Sequence, residues 1–324
     1  MFKYITKRVM HIFLSLLIVI TVVYFLFRLI PGDPTVALLG DSFTLEAKQM
    51  VIERFGLNKP LRIQYWNYMK NVFKGDFGNS FYYRLPANKV IGNKIVNTLA
   101  LLLPSVLLSY FFGTLIGAIS SYKLWSRFEN IIIAITLFFR STPIFWLAML
   151  GTMLFSYKLG WLPNSGMRTP GYIESSFYLL KFFNKDFVWH LTLPLLVLVS
   201  TRIAVPLLLM RTTMIETFEE GYIKFCQTKG LSEGQVLFKH SFRNALLPVV
   251  TSFSLAIGTS IGGQIIIEYI FGWPGLGREI VLATQRSDYP VAQFGLIVLA
   301  GSVMIMNLTA DILYAFLDPR IRIK

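Results

Sequence analysis

The sequence predicts an all-α polytopic membrane protein with six transmembrane helices, both termini on the cytoplasmic side, and a short cytoplasmic helix between the fourth and fifth spans. Composition carries the first part of that expectation. Of 324 residues, 54% are hydrophobic and 15% charged, whereas a soluble globular chain carries about 25% charge. The mean hydropathy is +0.58. Arrangement carries the second part, because the apolar residues fall into six runs, each long enough for a hydrocarbon core that takes about 20 helical residues to cross. Disordered, collagenous and ordinary soluble classes are excluded. The net charge of +14 comes without a basic run, so it reads as topogenic charge beside membrane lipid, with no nucleic-acid partner. One cysteine, Cys226, leaves no intramolecular disulfide and no thiolate metal cluster.

The runs extend over Val9 to Ile30, Thr98 to Tyr122, Ile131 to Tyr157, Trp189 to Met210, Ala245 to Ile270 and Val291 to Leu317. Lys3, Lys7 and Arg8 precede the first, as in a signal peptide, but the run exceeds an h-region and no small-x-small cleavage site follows, so a retained anchor is expected. Lys and Arg in short segments near span ends resist translocation. An inner N-terminus places Lys123, Arg127, Arg211, Lys224, Lys229, Lys239, Arg243 and the tail Arg320, Arg322 and Lys324 inside as well.

Two parts follow: residues 1–97, an anchor with a long outer loop, and residues 98–324, a five-helix core. The loop is punctuated by Pro31-Gly32-Asp33-Pro34, a polar helical stretch from Thr44 to Arg54, and Gly75-Asp76-Phe77-Gly78-Asn79-Ser80. A second outer loop, Lys158 to Val188, is rich in aromatics suited to the headgroup layer. The inner segment from Arg211 to Asn244 divides into two helices. Glu219 to Lys229 ends at Gly230, a residue able to take positive φ, and Ser232 with Gln235 has capping-box spacing.

Catalytic patterns are missing. There is no Walker phosphate loop, no His-Glu-x-x-His and no Gly-x-Ser-x-Gly, and His11, His190 and His240 lie in separate segments. No metal site and no ATPase site of the chain's own are expected. Charges within spans cost at least about 2.5 kcal/mol each on insertion scales, so each needs a partner or water. Counted inward at 1.5 Å per residue, Arg140 and Arg202 sit at a depth of about 12–14 Å and Asp311 at about 9 Å. They are expected as an ion-paired structural cluster or as contacts along a pathway. Glu268 and Arg28 lie near outer span ends, where snorkelling suffices. Pro143, Pro194, Pro206 and Pro248, with Gly258, Gly262 and Gly263, permit kinks or close helix contact.

Tyr222-Ile223-Lys224-Phe225-Cys226-Gln227-Thr228-Lys229-Gly230-Leu231, followed by His240-Ser241-Phe242-Arg243-Asn244-Ala245-Leu246-Leu247-Pro248, resembles the cytoplasmic EAA loop of ABC-importer permeases. The form is that of the dipeptide/oligopeptide/nickel subfamily, first permease subunit. Matches over nearly the whole chain add to the resemblance: Pro31-Gly32-Asp33-Pro34, Gly75 to Ser80, Thr142-Pro143-Ile144-Phe145-Trp146-Leu147-Ala148, Phe271-Gly272-Trp273-Pro274-Gly275-Leu276-Gly277, Asp288-Tyr289-Pro290-Val291, and Leu317 to Arg322. The Glu-Ala-Ala core itself reads Lys224-Phe225-Cys226, which removes an acidic partner.

By this resemblance the chain is a permease subunit in the bacterial inner membrane, pairing with a second homologous permease, two ATP-binding subunits and an extracytoplasmic solute-binding protein. ATP and Mg would bind those partner subunits, not this chain. Tyr222, Lys224, Phe225, Cys226, Lys229, Gly230 and Leu231 would form the coupling helix and its turn. The resemblance implies peptides as solute, with nickel or another chelated metal and opine-like solutes as alternatives. A gradient-driven carrier using Asp311 or Glu268, or a receptor without transport, are the readings of other classes.

Overall fold

Where the chain is apolar its backbone is helical, because a lipid-facing segment must satisfy its own peptide groups. The structure, a computed structural model, describes residues 2–29, 59–122, 126–172, 182, 184–260 and 264–317. The turn Pro31 to Pro34, the stretch Thr44 to Arg54, Lys123, Gly262, Gly263 and the tail from Asp318 lie outside the described residues. In chain order the helices are α1 (Phe2–Leu29), α2 (Leu61–Phe73), α3 (Ala87–Tyr122), α4 (Arg127–Ser141), α5 (Ile144–Gly151, continued by wider π-helical turns over Thr152–Lys158), α6 (Lys185–Arg202), α7 (Ala204–Glu219), α8 (Gly221–Thr228), the single turn α9 (Glu233–Gln235, continued by π-helical turns over Val236–Ser241), α10 (Phe242–Thr259), α11 (Ile265–Ile270), α12 (Leu276–Gln285) and α13 (Tyr289–Leu317). Among the described residues the only strand-like feature is an isolated bridge between Asn79 and Pro86.

Four helical stretches are long and apolar enough to cross a membrane: Arg8–Leu29, Ala87–Tyr122, Lys185–Glu219 and Tyr289–Ile312. The pair Arg127–Ser141 and Ile144–Lys158 makes a fifth, bent by 102°. Six spans are expected from the sequence. The run Ala245 to Ile270 is divided between α10 and the six-residue α11, and residues 261–263 are outside the description.

The third run, Ile131 to Tyr157, is bent at Pro143, where the sequence permits a kink. Pro143 bars the preceding residue from helical geometry, and Thr142 lies extended at φ −80°, ψ 134°. Its N–H and its hydroxyl both close back on the Phe138 carbonyl, at 3.1 and 2.7 Å. Arg140 therefore stands beside an elbow, and depth counted along a straight rod does not apply to it.

The chain divides into two units, Met1–Thr98 with Pro274–Met304, and Leu99–Trp273 with Ile305–Lys324. In the first, α3 begins well before its apolar run because Ala87, Val90 and Ile91 bury one face of a polar-looking segment against Leu276, Ile280 and Val291. The spacing i, i+3, i+4 is that of an amphipathic helix. Two separated sequence motifs meet here. Gly75 and Gly78 take positive φ of 77° and 84° and turn the chain into Ser80, whose hydroxyl donates to Asp288 Oδ2 at 2.5 Å. Asp288, 1% exposed, also accepts from the backbone N–H groups of Phe81 and Tyr82 at 3.1 and 3.3 Å. A carboxylate is the one side chain that accepts from three donors at once without offering a proton. Asp288→Asn turns an NH2 toward those donors and is expected to cost about 1–2 kcal/mol, read as a lower midpoint in SDS-induced unfolding of the purified protein. An unchanged midpoint would show that this junction does not stabilise the unit.

The second unit has two apolar centres. One surrounds Trp273, 0% exposed, with Phe187, Leu193, Leu198, Ile267 and Phe271. The Gly166 N–H donates to the Phe271 carbonyl at 2.7 Å, so Phe271-Gly272-Trp273 is an ordered turn pinned into this core. Glu268 is also fully buried, which corrects the expectation of a snorkelling carboxylate. Arg28, in the first unit, is exposed as expected and lies over the Tyr24 ring at 5.3 Å. The other centre joins Val106, Tyr110 and Ala118 of α3, Met210 and Met214 of α7, Leu237, and Ala245 and Val249 of α10.

Candidate functional site

Two places in the second unit carry the residues singled out from the sequence. The first is the connector between α7 and α10. α7 ends where Glu220 turns extended, φ −70°, ψ 143°, and α8 starts at once. It stops by the glycine mechanism: Gly230 has φ +78°, and the Leu231 N–H reaches back to the Cys226 carbonyl at 3.4 Å, the six-to-one bond of a Schellman ending. A Cβ on Gly230 would meet nothing within 4 Å. The glycine is thus required by backbone conformation and not by space. Ser232 then caps α9 reciprocally with Gln235, whose Oε1 accepts from the Ser232 N–H at 3.2 Å.

One face of this helix–turn–helix is seated and the other is open. Ile223 is 0% exposed, and Val236 and Leu237 are buried, Leu237 within the Met210–Met214 centre. The Asn244 side-chain amide donates to the Tyr222 hydroxyl at 2.6 Å, tying α8 to α10, and the Tyr122 hydroxyl donates to Glu233. Facing outward are Lys224, Phe225, Thr228, Lys229 and Gly230; Tyr222, Cys226 and Leu231 are half-buried. Phe225 is 59% exposed, with the Lys229 ammonium 4.6 Å from its ring centre, a cation–π arrangement that orders both side chains.

The second place is a cavity of about 300 Å³ lined from α3 by Val106, Ser109 and Tyr110, from α4 by Arg140, from α6 by Thr201 and Arg202, from α7 by Val205, from α10 by Ala256, and by Ser260 at the end of α10. The structure brings Arg140 and Arg202 to this one cavity; Asp311, on α13, is not in its lining. Arg202 donates to Ser105 Oγ at 3.0 Å and to the Ser260 carbonyl at 3.2 Å.

Sequence reasoning missed two features around these places. Arg211, read only as topogenic charge, is paired with Glu129 of α4, Nη2 to Oε1 at 2.5 Å and Nε to Oε1 at 2.6 Å. The signal available was Ser126-x-x-Glu129, a helix-start pattern; Ser126 accepts from the Glu129 N–H at 3.1 Å. The other is Gly113-x-x-x-Gly117 on α3, a small-residue pair in an apolar helix. A Cβ on Gly113 would lie 2.6 Å from Pro206 Cγ and 2.9 Å from the Ile203 carbonyl oxygen, and one on Gly117 would collide with the Leu207 carbonyl oxygen.

Known proteins are similar in sequence over nearly the full chain. Residues 113–323 match the family described as binding-protein-dependent transport system inner membrane component, and residues 1–101 match the N-terminal part of such membrane components. The chain is 35% identical over 323 residues to the oligopeptide transport system permease protein AppB of Bacillus subtilis, covering 99% of each. It is 36% identical over 333 residues to the di/tripeptide transport system permease protein DppB of Pseudomonas aeruginosa, covering 99% of each. It is 34% identical over 326 residues to the glutathione transport system permease protein GsiC of Salmonella typhimurium, covering 100% of each. Many bent or buried features described above fall inside the matched segments, and the chain belongs to the binding-protein-dependent transport system inner membrane component family, as a multi-pass ABC-importer permease.

Proposed function

We propose that this permease imports peptides, forming half of a translocation path with a second homologous permease and taking its drive from two ATP-binding subunits docked at the α8–Gly230 turn. The solute-binding protein delivers from the outer side. Both termini lie in the cytoplasm of a bacterial cell, six spans cross its inner membrane with α10 and α11 sharing one, and ATP and Mg are bound by the partner subunits. The names of the relatives support short peptides as solutes, glutathione being a tripeptide.

The observation that carries the coupling role is the two-sided connector. Leu237 fixes its inner face to the core that holds α7 and α10 and Ile223 is fully buried, while Lys224, Phe225 and Lys229 stand outward beside a glycine turn. A push on that open face moves two core helices together, because packed cores shift as bodies and do not deform smoothly.

The test is a graded series at Gly230. Asn tolerates positive φ, Ala does so at a cost, and a β-branched residue is the worst. In proteoliposomes of the whole complex, uptake is expected to fall in the order Gly, Asn, Ala, Val, with Gly230→Val losing at least tenfold while the subunit remains in the membrane and basal ATP hydrolysis persists. Normal uptake with Val would refute the coupling assignment, since the open space around Gly230 leaves backbone conformation as the only thing the substitution changes.

A further inference from the structure

We infer that the cavity between α3, α4, α6 and α10 is an anion-accepting station on the solute path, in which Arg140 and Arg202 take the carboxylate of the passing solute; this deepens the peptide-importer reading and rests on it. Two guanidinium groups line one cavity of about 300 Å³, and no carboxylate is in the lining. Among the described residues Arg202 is held by neutral groups, Ser105 Oγ and the Ser260 carbonyl, and Arg140 is exposed without a side-chain partner.

The contrast inside the same unit is informative. Arg211, which joins α4 to α7, is neutralised by the buried carboxylate of Glu129, the usual solution for a structural charge in a lipid-embedded bundle. At the cavity that solution is absent. Arg140 does sit in the last turn of α4, where the helix end offers about half a negative charge, too little for two full positive ones. The site therefore has an uncompensated charge whose sign selects an anion, and a guanidinium fork matches a carboxylate in geometry.

The surroundings fit a solute that must also leave. Arg202 is fixed from two sides, whereas Arg140 is exposed next to the Thr142-Pro143 elbow, so one half of the clamp is held and the other has room to move. Hydroxyls of Ser109, Tyr110 and Thr201 complete a polar wall, and the volume is at the small end of ligand sites. It accommodates the carboxyl end of a dipeptide and not a long chain at once.

The experiment compares uptake of dialanine and of dialanine amide by the reconstituted complex, wild type against Arg140→Gln and Arg140→Lys. The solute-binding protein is the same in every arm, so its own preference cancels in the variant-to-wild-type ratio. For Arg140→Gln the free-acid ratio is expected to fall about tenfold further than the amide ratio, with Arg140→Lys restoring most of the difference. Equal falls, or none, would overturn the proposal. A second readout needs no transport: phenylglyoxal labelling of Arg140, read by mass spectrometry in phosphatidylcholine nanodiscs, is expected to slow with dialanine and with acetate but not with acetamide. Absence of that protection overturns the site, as does protection by phosphatidylglycerol alone, which assigns the cavity to a lipid headgroup. If the wild-type complex imports neither peptide while acetate still protects Arg140, the peptide reading fails and the anion station stands.

Discussion

Arg211→Met is expected to destabilise the protein by about 3–5 kcal/mol, because it leaves a buried carboxylate with its cation gone. The two halves of this pair are not equivalent. The Glu129 side chain is 2% exposed, whereas that of Arg211 is 27% exposed. Removing the arginine takes a cation from a carboxylate that water hardly reaches; removing the carboxylate leaves a cation that solvent partly reaches. Glu129→Gln is therefore expected to cost less, about 1–2 kcal/mol. The double variant Glu129→Gln, Arg211→Met has no charge left to strand and is expected to recover most of the loss, as replaced ion pairs do. SDS-unfolding midpoints of the four proteins measure all three differences. Additive losses in the double variant would show that the two side chains act independently, and equal single losses would show that burial does not decide the cost. The pair ties α4, which carries Arg140, to α7, which leads into the connector.

How legible these features were follows from the range over which each is specified. The connector was readable residue by residue: Gly230 as a positive-φ stop and Ser232 with Gln235 as a cap are local rules, and the structure has both. The spans were readable wherever hydrophobicity was unbroken, as in α1 and α13. α3 began earlier than its apolar run because Ala87, Val90 and Ile91 are a face of a helix, which a hydropathy sum dilutes with the polar residues between them. Pro143 marks a permitted kink in the sequence, but its size depends on what packs beside it, and the structure bends the span there by 102°. Glu268 lay near a span end in sequence, yet the fold buries it fully. Ser80 and Asp288 were each part of a recognised motif, and only the fold shows that they are one junction across the sequence. For the cavity, the intramembrane arginines stood out by their cost in lipid, while their common location depended on the packing of α4 against α6.

Gly117→Leu is expected to be the most damaging substitution of a non-polar residue, at about 3 kcal/mol or more. Overpacking a well-filled contact costs about 1–3 kcal/mol when neighbouring side chains can yield. Here the obstacle is backbone. A Cβ at this position collides with the Leu207 carbonyl oxygen and comes within 3.0 Å of Met210 Cβ, and Gly113 one turn away faces the Ile203 carbonyl and Pro206. No rotamer relieves a clash that begins at Cβ, so α3 and α7 must separate or slide. Their separation opens the Met210–Met214 centre, on which Leu237 of the connector rests, and shifts Tyr110 and Ser109 away from Arg202 across the cavity. A substitution far from the coupling face is thus expected to weaken both coupling and solute passage. Gly113→Ala provides the graded control, since its nearest obstacle includes the far edge of a proline ring as well as a carbonyl. The measurement is peptide uptake per molecule of folded complex, with the SDS-unfolding midpoint of the same preparations. A Gly117→Leu protein that keeps both would mean that the two helices do not owe their close approach to the glycines, and that the connector is supported by some other contact.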